Sequence, residues 1–229
     1  VFQNLAIKSD KVSRIIADKR VVAVTLTGSE GAGAKVAEAA GRALKKVVLE
    51  LGGSDPFIVM PSADLDVAVK TAVKARVQNA GQSCICAKRM IVHADVYDAF
   101  LEKFTAAMLA VKIGDPMAEG VEMGPLSSVE QRDTVLEQVA RATADGAKLA
   151  GGEEIERDGA WMGAGVLTDV DPDADFAQEE IFGPVAMVFK AADIDAAIAL
   201  ANDVPFGLGS SVWTTDQTEI DRFVRDIES

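Results

Sequence analysis

Residues 21–53 read VVAVTLTGSEGAGAKVAEAAGRALKKVVLELGG. An apolar strand-like run, 21-VVAVTLTG-28, turns through the glycine-rich 27-TGSEGAGAKV-36 into a helix, and a second strand-like run follows at 46-KVVLEL-51. Valine and leucine that continue without polar alternation describe strands buried on both faces, as in a parallel sheet. The pattern extends outward: PFIVM (56–60), KRMIVH (88–93), PVAMVFK (184–190) and GSSVWT (209–214) read as further strands. Amphipathic helices lie between them. Leu65, Val69, Ala72, Val73 and Val77 share one face, and Tyr97, Phe100, Leu101, Phe104 and Met108 share another. Further faces come from Val135, Leu136 and Val139, from Ile194, Ala197, Ile198 and Ala201, and from Ile220, Phe223, Val224 and Ile227. Ser62 or Asp64, and Asp193, offer N-caps. The expected class is α/β: a mostly parallel sheet flanked by helices.

A chain of 229 residues, 49% hydrophobic and 26% charged, can bury one sizeable core or two smaller ones. The glycine pair in 49-LELGGSDP-56, where a strand ends in turn residues, marks the expected boundary, and 112-KIGDPMAEGVEMGPLSS-128 reads as a surface excursion in the second part. Acidic residues exceed basic ones by 36 to 23, a net charge of −13 with no basic tract, which argues against nucleic acid or an anionic membrane as partner. No apolar run approaches the roughly 20 residues of a membrane span, and the N-terminal VFQNLAIKSD lacks a signal peptide's basic start and apolar centre, so a cytoplasmic location is expected. The chain does not begin with Met, and its last helix lacks a glycine or proline stop. It is expected to be a piece of a longer protein.

Four segments bear chemistry. The turn 27-TGSEGAGAKV-36 presents N–H groups and a helix start to an anion, yet it departs from both standard phosphate fingerprints: alanine stands at 34 where a P-loop needs lysine, and valine at 36 where G-x-G-x-x-G needs glycine. A plain strand-to-helix turn stays equally open. Glu50 is the penultimate residue of an otherwise apolar strand, either facing solvent or a carboxylate kept for a purpose; a desolvated glutamate with a raised pKa serves as a general base. The only two cysteines stand one residue apart in 79-NAGQSCICAKR-89. With His93 the sole histidine, a closed zinc site lacks ligands and no metal is expected. Glycine and polar residues before Cys84 describe a tight loop leading to an exposed thiol, and thiolate is the strong nucleophile. Cys86 is its neighbour, near enough to close a strained disulfide where the loop bends. His93 reads as a satisfied strand residue. The stretch 178-QEEIFGPV-185, taken alone, is a solvated loop held by one phenylalanine.

The order of these segments carries a resemblance. TGSEGAG, then ELGG, then GQSC, then EEIFGP resembles the aldehyde dehydrogenase superfamily across essentially all 229 residues, and the spacing of Glu50 to Cys84 is similar to that of the family. Within it, LELGGSDPFIV, GQSCICAKR and KIGDPM look most like the bacterial succinate-semialdehyde dehydrogenases. The resemblance implies Cys84 as nucleophile and Glu50 as the base that activates the hydrolytic water. It also implies Gly28 and Ser29 beside the pyrophosphate of an NAD or NADP cofactor, Leu51 and Gly52 near the nicotinamide, Glu180 on the nicotinamide ribose and Phe182 packed beside it.

By the same resemblance, 1–52 is the C-terminal part of a Rossmann-like cofactor-binding domain and 53–229 most of a catalytic domain. The parent is then a homodimer or homotetramer that oxidises an aldehyde through a thiohemiacetal and a thioester, and the piece alone is inactive. Family members are roughly twice as long; the asparagine that completes the oxyanion hole and the lysine on the adenosine ribose lie outside this chain, as does the C-terminal tail. Two alternatives stay open. One is an acylating dehydrogenase that passes the thioester to coenzyme A, against which Glu50 speaks; the other is a non-catalytic α/β module with a redox-active Cys84–Cys86 pair.

Overall fold

Asp and Ser at helix starts and uninterrupted apolar strands set the architecture. A computed structural model describes residues 2–228, and the chain divides between Gly52 and Gly53 into two units.

The first unit contains α1 (Val12–Ala17), β1 (Ala23–Thr27), α2 (Glu30–Arg42) and β2 (Lys46–Glu50). The two strands pair in parallel from Ala23↔Lys46 to Thr27↔Glu50, and the Gly28 N–H prolongs the ladder by donating to the Glu50 carbonyl at 3.0 Å. Ser29 caps α2, its Oγ accepting from the Ala32 N–H at 3.3 Å. Gly33 is required by packing: a Cβ there would lie 2.6 Å from Leu51 Cδ2, so only glycine lets α2 cross the chain this closely. Helix α2 packs on both strands and α1 packs on α2. That arrangement covers one side of the ladder, and Val22 and Val48 are 80% and 58% exposed. The expectation of strands buried on both faces fails in this unit, where among the described residues one helix packs across a two-stranded ladder.

The second unit orders β3 (Asp55–Val59), α3 (Leu65–Val77), β4 (Ala87–His93), α4 (Ala94–Leu109), α5 (Val129–Ala144), β5 (Lys148–Gly151), β6 (Gly165–Thr168), β7 (Val185–Ala191), α6 (Ile194–Asn202), β8 (Ser211–Trp213) and α7 (Gln217–Asp226). Six strands form one sheet in the order β5-β6-β7-β4-β3-β8, parallel throughout except for β5 against β6. Here the valine and isoleucine runs are buried on both faces: β3 entirely, β4 as far as Val92, and β7 except Lys190. Asp64 and Asp193 cap α3 and α6. Phe100 and Phe104 of α4 bury stacked rings with centroids 5.3 Å apart.

Three expectations need correction. Strands β5 and β6 were not anticipated, because KLAG and GVLT are too short to show a period and β5 is a half-wet antiparallel edge. Val224 is 81% exposed; α7 is anchored by Phe223 instead. The 112–128 segment is not all surface, since Met123 and Leu126 are buried and Ile113 bridges to Met123, with Met117 exposed.

Candidate active site

The chain leaves α3 through three consecutive residues in the left-handed region, Asn79 (φ 51°), Ala80 (φ 54°) and Gly81 (φ 75°). Asparagine tolerates this conformation and glycine adopts it freely, whereas alanine is held there at a cost. Asn79 and Gln82 brace the bend by exchanging side-chain amide donors to each other's carbonyls at 2.9 and 3.1 Å, and Gln82 Oε1 accepts from the Ser127 N–H at 2.9 Å. A tight turn follows, closed by the Cys86 N–H donating to the Ser83 carbonyl at 3.1 Å. Cys84 and Ile85 therefore occupy its corner. Cys84 is half-buried and Ile85 exposed; Cys86 is fully buried, its thiol 3.7 Å from the Gln78 carbonyl. Both thiols are free.

The loop 178–184 presses on this bend through bare backbone. A Cβ on Gly81 would lie 2.3 Å from the carbonyl carbon and oxygen of Gly183, and one on Gly183 would lie 2.7 Å from Val135 Cγ2. Two glycines far apart in the sequence, Gly81 and Gly183, thus let the GQSC and EEIFGP segments touch. Buried Arg76 fastens the same junction. Its guanidinium donates to the carbonyls of Gly81 (2.8 Å), Ile181 (3.2 Å), Ala87 (3.3 Å) and Gly183, and burial lowers its pKa to about 10. Gln131 donates to the Phe182 carbonyl at 2.9 Å and Gln138 to the Glu180 carbonyl at 3.2 Å. The solvated-loop reading of 178–185 is thereby corrected: Ile181, Gly183 and Pro184 are buried.

The two glutamates of this loop part company. Glu179 takes a bidentate bond from Arg141 at 2.8 and 2.7 Å, which holds its carboxyl below the usual carboxylate range. Glu180 pairs with Lys88 at 3.1 Å, and Phe182 beside it is half-buried. Lys88 Nζ also donates to the carbonyls of Cys84 (2.8 Å), Ser83 (2.9 Å) and Cys86 (3.4 Å). Gly53 lies against the same turn: a Cβ there would come within 2.8 Å of the Cys84 carbonyl oxygen. Cys84, Glu180 and Gly53 precede β4, β7 and β3, three adjacent parallel strands, so one end of the sheet gathers them.

In the first unit, Gly28, Ser29, Leu51 and Gly52 follow the C-terminal ends of β1 and β2, and Glu50 is the last residue of β2, at the end where parallel sheets bind ligands. Gly28, Ser29 and Glu50 are exposed, Leu51 and Gly52 half-buried. His93 is a structural residue that caps α4, its Nδ1 accepting from the Asp95 N–H at 3.2 Å. Among the described residues no cluster of three metal-ligating side chains occurs. Sequence reasoning passed over Lys88, Arg76, Gly53 and Gly183. The visible signal was in KRMIVH, where two cations open a strand that is otherwise apolar.

A parallel α/β sheet with a cysteine at the corner of a turn and a carboxylate on the abutting loop defines a class, and the chain belongs to the aldehyde dehydrogenase family, whose model matches residues 1–229. It is 56% identical over 229 residues to the succinate-semialdehyde dehydrogenase [NADP(+)] of Mycolicibacterium paratuberculosis, covering all of this chain and 48% of that one. Succinic semialdehyde dehydrogenase from Streptococcus pyogenes, solved with NADP+, superimposes with a TM-score of 0.94 at 42% identity, over 99% of this chain and 50% of that one. Betaine aldehyde dehydrogenase from Staphylococcus aureus, solved with NAD+, gives a TM-score of 0.90 at 30% identity, over 94% and 44%. The chain spans about half the length of the curated relatives it matches.

Proposed function

We propose that a protein of family length carrying this chain oxidises an aldehyde, succinate semialdehyde by its relatives, to the carboxylic acid with NADP. The observation that carries this reading is Cys84: the thiol stands at the corner of a turn braced by Lys88 and Gly53, while its neighbour Cys86 is buried. In this reading 1–52 is the C-terminal part of the cofactor domain and 53–229 most of the catalytic domain.

The residues present fit a nicotinamide cofactor. Glu180 Oε1 is buried and meets only the Lys88 ammonium among the described residues, and the side chain is 19% exposed, which leaves acceptor capacity for ribose hydroxyls. Gly28 and Ser29 open the 13-residue helix α2, whose N-terminus favours a phosphate, and Leu51, Gly52 and Phe182 supply apolar and small surface for the nicotinamide. The bound cofactor supplies the acceptor for the hydride that leaves the substrate carbon.

The rest belongs to the chain's own residues. The Cys84 thiolate adds to the aldehyde carbon, a C–S bond forms, and the carbonyl pair moves to oxygen, where backbone N–H groups of the turn hold it. Loss of hydride restores the C=O as a thioester. Glu50 takes a proton from water, the hydroxide attacks the thioester, and the C–S bond breaks to return the thiolate. The presence of a glutamate at position 50 also argues against transfer to coenzyme A, which needs no hydrolytic base there. Burial of Cys86 argues against a dithiol module. The protein is proposed to be cytoplasmic and to assemble as a homodimer or homotetramer.

The test is reduction of NADP+ by succinate semialdehyde, with and without coenzyme A, in the protein of family length. Activity independent of coenzyme A, with NADP+ preferred over NAD+, is expected; strict dependence on coenzyme A sinks the hydrolytic reading. The 229-residue chain alone is expected to show no oxidation and no saturable binding of either cofactor in calorimetry, because among the described residues its first unit holds a two-stranded ladder.

A further inference from the structure

A buried ammonium is costly unless every proton finds an acceptor and the charge a partner. Lys88 meets both conditions. Its side chain is 0% exposed, and its three N–H donors face four oxygens: the carbonyls of Cys84 (2.8 Å), Ser83 (2.9 Å) and Cys86 (3.4 Å), and Glu180 Oε1 (3.1 Å). Three of those oxygens belong to the cysteine turn and the fourth to the loop that presses on it. Apart from this ion pair, Glu180 Oε1 has no polar partner among the described residues. A fold seeking only stability would fill this position with an apolar side chain, as it does at Met90, Ile91 and Val92 further along the strand.

We infer that Lys88 is a positioning residue: it fixes the Cys84 peptide with the thiol at the turn's corner and makes the reactivity of that thiol answer to the charge of Glu180. This rests on the reading of Cys84 as nucleophile and of Glu180 as the ribose-binding carboxylate. The other charged groups around Lys88 are Arg76 from α3 and Asp55 from β3, and Arg89 on β4 acts on Asp55. Burial, then Arg76, pushes Lys88 below the ordinary lysine value, while Glu180 holds it up. These contacts hold the ammonium against the carbonyls of the cysteine turn, and the paired Glu180 carboxylate offsets part of its positive field there.

The experiment is alkylation of the 229-residue chain by iodoacetamide across the neutral and alkaline range, with Cys84 and Cys86 peptides resolved by mass spectrometry. Lys88→Met is expected to move the Cys84 midpoint up by about one pH unit, making labelling about tenfold slower at neutral pH, and Glu180→Gln to move it down by about half a unit. Cys86 stays unlabelled in both. Midpoints that do not move, or that move in the same direction, overturn the role; so does labelling of Cys86 together with an unmoved Cys84 midpoint, the mark of a mere packing residue. If Lys88→Met does not fold, Glu180→Gln decides: a downward shift supports the role and no shift overturns it. Unmoved midpoints alongside loss of aldehyde oxidation in Cys84→Ala remove Lys88 from the argument and keep the proposed function. Moved midpoints with oxidation intact in Cys84→Ala overturn the nucleophile assignment instead.

Discussion

Cys84→Ala, in the enzyme of family length, is expected to lower aldehyde oxidation by at least about 10⁴-fold and to remove ester hydrolysis with it, because both begin with attack by the same thiolate. Glu50→Gln separates the two halves of the cycle. The amide cannot take the proton from water, so the first turnover proceeds and the second waits: one equivalent of reduced cofactor appears in a burst, followed by a steady rate lower by about 10²–10³-fold. Stopped-flow absorbance of the reduced nicotinamide reads both phases. Loss of the burst in Glu50→Gln to the same extent as in Cys84→Ala sinks the assignment of Glu50 to deacylation. Glu50 is exposed at the end of β2, and among the described residues no side-chain hydrogen bond or ion pair holds its carboxylate.

Gly81→Ala is expected to cost about 3 kcal/mol of stability, or roughly 6–12 °C in Tm for a unit of this size. Two causes add. The residue sits at φ 75°, and the new Cβ would lie 2.3 Å from the Gly183 carbonyl, which is backbone and cannot swing aside, and 2.7 Å from Arg76 Nη2. Gly124→Ala in the same unit is the control, with its Cβ at an ordinary 3.4 Å from Pro116 and an expected change within about 1 kcal/mol. Thermal unfolding followed by circular dichroism compares them. Equal melting temperatures for the two variants would show that the two glycines do not bear on each other.

Much of the fold was legible in the sequence where the signal is local. Uninterrupted runs such as PFIVM and KRMIVH became buried parallel strands, and Asp64 and Asp193 became the caps that their chemistry suggested. Periods fail in short pieces, which is why β5 and β6 stayed hidden. Exposure failed differently: VVAVTLTG and KVVLEL carry the composition of covered strands, yet cover is a property of what packs on them and is not written in the strands themselves. The candidate site shows the same division. Cys84, Glu50 and Glu180 stand out by residue type and by the order of the segments that hold them. Arg76, Lys88, Gly53 and Gly183 matter through contacts that span up to 107 residues, as from Arg76 to the Gly183 carbonyl, and no local pattern announces such a contact.

The bare side of the two-stranded ladder has a colloidal consequence. Val48 in the ladder is 58% exposed, and Val22 just before β1 and Leu44 in the turn after α2 are 80% and 95% exposed, on a molecule of net charge −13. In dilute buffer the charge holds neighbouring molecules apart before those side chains can meet. Added salt shortens the reach of that repulsion, from about 10 Å at 0.1 M to about 3 Å at 1 M, while leaving the apolar attraction in place. Salting therefore drives this chain toward clusters, and light scattering rises with ionic strength; purification is best kept at low salt, well above the isoelectric point near 4.5.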